Sequence, residues 1–128
     1  MDYLAAMKYI FTFLLLAGFF AVRAQKSVKL EEIGNHVGDS VVLTGKVYST
    51  RYFETAKDAP TLLNLGAPFP DQLLTVVIYG AYRNQFKEAP ETLFKDKTVQ
   101  VTGKVELYKG KPQIAVQQLP QLTVIEKE

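Results

Sequence analysis

The chain has no cysteine, which excludes disulfides, thiolate nucleophiles and thiolate metal sites, and with them a lipoprotein anchored through a cysteine behind its leader. Histidine occurs once, at His36, where a helix is expected to end; there it reads as a cap or packed edge rather than a ligand or catalyst. The sequence contains no HExxH, no phosphate-loop glycine pattern and no nucleophile elbow. Its acidic residues are dispersed over loops and helix starts, where they read as solubility and capping. These absences point away from an enzyme, a metal site or a cofactor. An excess of one charge is missing too, with 15 Lys and Arg against 13 Asp and Glu. Such a balance disfavours a DNA-coating protein, because phosphate neutralisation supplies most non-specific affinity. Any nucleic-acid binding has to come from a local patch.

The first segment reads as a targeting leader. Lys8 precedes an apolar run from Tyr9 to Val22, and Val22-Arg23-Ala24 offers small or modest side chains to a signal peptidase, so cleavage is expected after Ala24. The run has 14 residues, short of the roughly 20 that a spanning helix needs, so the membrane is met only in transit. Residues 1–24 are a signal peptide on this reading, and the product is periplasmic or secreted. The remaining 104 residues, Gln25 to Glu128, carry 13 basic and 12 acidic side chains, and suit one domain with one core.

Within that domain Thr98 to Val116 reads as a β-hairpin. Val99, Val101, Val105 and Leu107 alternate with Gln100, Thr102, Lys104 and Glu106, the pattern of a half-buried strand. Gly103 falls on the buried side and predicts a bulge or bend. Lys109, Gly110 and Lys111 form the turn, after which Ile114 and Val116 restore the alternation. Before the hairpin, Ser27 to His36 reads as a short helix capped by Ser27 and covering the bottom of the barrel. A long first strand follows from Ser40 to Phe53, bent at Gly45, then a loop Glu54 to Pro60 and a second strand Thr61 to Leu65. A turn with Phe69 between Pro68 and Pro70 leads into a third strand, Leu73 to Tyr79. Ala81 to Phe94 is a helical connection divided by Pro90, and Leu119 to Ile125 is a last extended segment along an edge. Val41–Val47 (VVLTGKV) and Val99–Val105 (VQVTGKV) agree at five of seven positions; with different flanks, the likeness reads as convergence of two strands in equivalent positions rather than as a repeat.

The expected fold is all-β, a five-stranded Greek-key barrel of the OB type with a short N-terminal helix and a short helical connection between strands three and four. A sandwich needs about seven strands. The segments VGDSVVLTGKVYSTRYFE, PTLLNLGAPFPDQLLTVVIYG and LFKDKTVQVTGKVELYKGKPQIAV resemble the secreted bacterial OB-fold domains labelled nucleic-acid-binding, which also occur beside nuclease domains. The resemblance spans most of Val37 to Leu122 and departs at Asp96, where glycine is expected.

An OB barrel binds on the outer face of strands two and three and with the loops joining strands one to two and four to five. Those places hold Arg51, Tyr52, Phe53 and Lys57 in one loop and Tyr108, Lys109 and Lys111 in the other, with Asn64, Thr75 and Tyr79 on the strands. Basic side chains beside rings suit single-stranded nucleic acid, with phosphates paired and bases stacked. Of these, Arg51, Tyr52, Lys57, Asn64, Tyr79, Tyr108, Lys109 and Lys111 are the candidate binding residues. The alternative partner is a protein, peptide or envelope glycan held on the same face. Phe69 reads as a plug over the end of the barrel.

Overall fold

The structure, a computed structural model, describes residues 25–125; the leader expected over 1–24 lies outside them. The organising element is β2 (Ser40–Tyr52), whose 13 residues serve two neighbours in turn. Its first half, Ser40 to Lys46, pairs antiparallel with β5 (Thr98–Lys104), and its second half, Val47 to Tyr52, with β3 (Thr61–Leu65). β3 pairs antiparallel with β4 (Leu74–Ile78), and β4 runs parallel to β7 (Lys111–Ala115). β6 (Glu106–Tyr108) closes a hairpin with β7, β8 (Leu122–Val124) lies antiparallel to β5, and β1 (Lys26–Ser27) lies parallel to the start of β2. The order is β6-β7-β4-β3-β2-β5-β8, with β1 attached to β2.

The expected five-stranded barrel is therefore an eight-stranded open sheet, because no ladder forms between β5 and β7. Two devices bridge that seam. β5 and β6 are one run interrupted at Val105, so the same stretch of chain pairs with β2 and then with β7. Gln121, in the 3-10 turn Leu119–Gln121, lays its carboxamide across the gap: Nε2 donates to the Thr102 (3.1 Å) and Ala115 (3.3 Å) carbonyls. Its Oε1 accepts from the Gln117 and Gln118 backbone N–H groups.

Both glycines expected at bends lie inside strands. They face each other's phrase: Gly45 pairs with Val99 and Gly103 with Val41, so the two similar segments are antiparallel partners. Each glycine makes room for a side chain. A Cβ on Gly103 would sit 2.6 Å from Ile114 Cγ2, and one on Gly45 would meet Leu30 at 3.0 Å and Leu65 at 3.2 Å. The pairing slips not at Gly45 but between Val47, opposite Leu65, and Ser49, opposite Asn64. Tyr48 is the extra residue of a β-bulge.

The expected N-terminal helix is shorter, because Ser27 and Val28 use their backbone along the free edge of β2 instead. What remains is a 3-10 helix, Leu30–His36, without a side-chain cap; its buried Leu30 and Ile33 cover that end of the core. The connection between β4 and β5 holds two single turns, α1 (Gly80–Arg83) and α2 (Pro90–Leu93), with Pro90 in the first turn of the second. Tyr82, Phe86 and Leu93 pack on the core beside the buried Phe94. In the hairpin Val99, Val101, Val105, Ile114 and Val116 are buried as expected, but Leu107 is 55% exposed, and its β6 neighbours Glu106 and Tyr108 are exposed as well. Lys109 (φ 51°) and Gly110 (φ 80°) form the loop and Lys111 already belongs to β7. Positive φ at both loop positions is the turn that matches strand twist.

Candidate nucleic-acid interface

Residues directly opposite each other in a sheet share a face, so the registers sort the side chains of β2, β3, β4 and β7. Thr50, Leu63, Val76 and Ile114 form one transverse row, and the last three are fully buried. That row faces the core. The next row on the opposite face holds Ser49, Asn64, Thr75 and Gln113, and Glu106 of β6 continues it. Two residues along lie Arg51, Leu62, Val77 and Ala115, again on the outer face. Tyr108 and Lys111 are paired with each other and share the face of Glu106 and Gln113. The period of two carries Arg51 on to Phe53 and Val77 on to Tyr79.

The bulge decides which face β2 presents here. Val41, Leu43 and Val47 point inward at odd positions; the extra residue at Tyr48 shifts the phase, so that beyond it Thr50 and Tyr52 are inward and Ser49, Arg51 and Phe53 outward. Arg51 and Tyr52, expected in one site, are thereby separated. The Arg51 guanidinium lies 4.6 Å from the centre of the Phe53 ring on the outer face. Tyr52 instead joins the row of the buried Thr61 and Ile78. One face of its ring is covered by Arg83 at 3.6 Å. Arg83 is itself fixed by Thr61 Oγ1, to which it donates at 2.8 Å, and by an ion pair with Glu91 at 2.8 Å. Tyr52 is part of the end cap of the core.

The centre of the outer face is a chain of amides and hydroxyls. Gln72 Nε2 donates to Thr75 Oγ1 (3.1 Å), Thr75 Oγ1 to Asn64 Oδ1 (3.2 Å), and Asn64 Nδ2 to Ser49 Oγ (3.0 Å). Asn64 is only 3% exposed on this outward side, because the loop joining β3 to β4 folds back over the sheet. Two bonds pin that loop: Phe69 N donates to Ser49 Oγ (3.1 Å) on β2, and Lys111 Nζ to the Pro70 carbonyl (3.0 Å) from β7. Asparagine in a strand is thus accounted for by a cross-strand network beneath a loop. Phe69 is no plug: its ring is 66% exposed, since both pinning bonds are made by the backbone and leave the side chain outside.

The remaining candidates lie at the two ends of this face. Tyr108 is 59% exposed, with the Lys109 ammonium 5.4 Å from its ring centre. Arg51 and Lys111 are separated by three strand spacings and four residues, roughly 20 Å by ordinary sheet dimensions. Lys57 is exposed on loop 53–60, at the end of the sheet away from the hairpin. The Asp58 carbonyl on that loop accepts from Gly80 N at 2.8 Å. Tyr79, half-buried, precedes α1. Ser49, Gln72 and Gln113 were not among the expected residues; an unforeseen bulge put Ser49 in the wrong phase, and the other two become neighbours only through the folded loop and the parallel β4–β7 pair.

His36 stands apart, at the start of β2. Its Nδ1 lies 3.1 Å from Asp39 Oδ2, and Lys26 Nζ donates to the same oxygen at 3.4 Å. Hydrogen bonding to His36 and then to Lys26 holds the Asp39 carboxyl below its ordinary range. The histidine ties the helix end to the strand.

No family model matches the sequence, and no curated protein matches it. Solved structures do. The yeast Stn1 and Ten1 structure aligns at TM-score 0.56 and 9% identity, over 81% of this chain and 64% of that one. RecG bound to a three-way DNA junction aligns at 0.56 and 19%, over 82% of this chain and 13% of that one. An OBody bound to hen egg-white lysozyme aligns at 0.50 and 20%, over 84% of this chain and all of that one. An aspartyl-tRNA synthetase from Leishmania major matches over 22% of its length, so the chain corresponds to a part of the larger proteins it resembles. Identities this low establish the fold alone, and that fold is OB-like.

Proposed function

We propose that this chain is an exported module that binds single-stranded nucleic acid on the outer face of β2, β3, β4 and β7, and that it acts by binding rather than catalysis. The observation that carries the reading is the register, which brings Arg51 with Phe53, and Tyr108 with Lys111, to the two ends of one face, Lys109 lying beside the Tyr108 ring and the exposed Phe69 on the loop above. Rings beside cations at both ends of one face are what a single strand needs, and this is the face that OB barrels use. RecG, one of the proteins that share the fold, was solved on a DNA junction. Export rests on the leader in the sequence and is tested by mass spectrometry of the secreted or periplasmic protein, whose chain should begin at Gln25.

Binding is tested by titrating a labelled single-stranded oligonucleotide at low salt. Arg51→Ala should weaken binding for all sequences alike and reduce the slope of log K against log salt by about 0.7, the share of one phosphate contact. Absence of binding at tens of micromolar protein, by an order-of-magnitude standard for non-specific sites, overturns the reading. A protein ligand is the second reading, favoured by the exposed Leu73 and Leu107 near the hairpin end.

A further inference from the structure

We infer that Phe69 and Tyr108 form a pair of stacking platforms for two bases at the hairpin end of the outer face, and that stacking rather than phosphate pairing supplies most of the affinity there. The inference rests on the nucleic-acid reading above and adds to it a loop outside the two expected to bind. The two most exposed rings of the described chain, at 66% and 59%, are each one step from a single hydrogen bond. Phe69 precedes Pro70, whose carbonyl accepts from Lys111 Nζ, and Tyr108 is the cross-strand partner of Lys111. Side chains of such a pair lie about 5 Å apart at Cβ, so both rings belong to one end of one surface.

The Phe69 ring is also held ready. Prolines on either side restrict the backbone, Asp71 N donates to the Pro68 carbonyl at 2.9 Å to close the turn, and Ser49 Oγ holds Phe69 N. Each constraint acts on the main chain and none covers the ring. A platform fixed before the ligand arrives loses little entropy on binding. The charges nearby favour stacking over phosphate pairing. Lys109 and Lys111 are offset at the same end by Asp71 in the loop and by Glu106, which shares the outer face with Tyr108. Four charges that cancel give little counterion release, whereas a base finds a π-face on each ring whatever its sequence.

The test uses the absence of tryptophan from the chain. In Phe69→Trp the single indole should be quenched by a single-stranded oligonucleotide, and an abasic strand of the same length should bind more weakly and leave the emission unchanged. Phe69→Ala and Phe69→Leu should weaken oligonucleotide binding roughly 5- to 150-fold with the salt slope unaltered, while Phe69→Tyr retains it. All four should melt with the parent, since the ring is exposed. Tyr108→Ala should lose affinity to a similar degree. If the parent binds single strands but Phe69→Ala binds equally well, or the indole is not quenched, the stacking inference falls and the broader reading stands. If the parent binds none, both fall.

Discussion

At the scale of single residues, space and backbone sign decide. Gly103 has Ile114 Cγ2 where its own Cβ would be, so Gly103→Val forces a core strand apart. It should cost roughly 1–3 kcal/mol by overpacking, read as a lowered denaturation midpoint, and Ile114→Ala in the same chain should return part of the loss relative to the two single changes added together. Asp96 is a contrasting case. Its φ is 63°, the left-handed region that costs an L-residue about 1–2 kcal/mol, and it stands where the resemblance calls for glycine. Asp96→Gly should raise the melting temperature or leave it unchanged, whereas Asp96→Val should lower it. Asp39 gives a pH dependence of known sign. Its folded carboxyl titrates below the unfolded one, so its contribution is present above the ordinary carboxylate range and is lost as pH falls through the folded value. Asp39→Asn should flatten the acid limb of the stability profile below that range; the group is solvated, so the effect is small.

At the scale of elements, the seam between β5 and β7 is the feature that alternation alone does not reveal. The strands are close enough for Ile114 to fill the space over Gly103, yet no backbone ladder joins them. The Thr102 and Ala115 carbonyls there are satisfied by one side chain, Gln121. Removing it leaves both half-buried carbonyls without this donor, and a lost hydrogen bond of this kind costs about 0.5–1.5 kcal/mol. Gln121→Leu should therefore destabilise the domain by that order. Hydrogen exchange should show the loss concentrated in the 115–121 stretch, where Gln117 N and Gln118 N lose the Gln121 acceptor. Uniformly raised exchange across all strands would count against a local seam.

At the scale of the whole molecule, one inserted residue assigns the binding face. Without the bulge at Tyr48, Tyr52 would face outward and Arg51 inward; with it, Arg51 stands over Phe53 and Tyr52 lies under Arg83. Tyr52→Ala is accordingly a stability change. It should lower the melting temperature by loss of packing and of the Arg83 contact, and the fraction that remains folded should bind an oligonucleotide as the parent does. The sequence marks β3 as the short apolar run Thr61–Leu65 between Pro60 and Gly66, but not β1 or the break that sets β6 apart from β5. It also determined the glycines in β2 and β5, the division of the helical connection at Pro90, and the hairpin turn at Gly110. All of these are local consequences of period, missing Cβ and fixed φ. The face of each side chain after Tyr48, the exposed setting of Phe69, the network around Asn64 and the bridge at Gln121 follow instead from how distant segments pack. A bulge is specified by how two distant strands meet, and a loop's resting place by partners 20 to 41 residues away, so neither leaves a periodic mark in the chain.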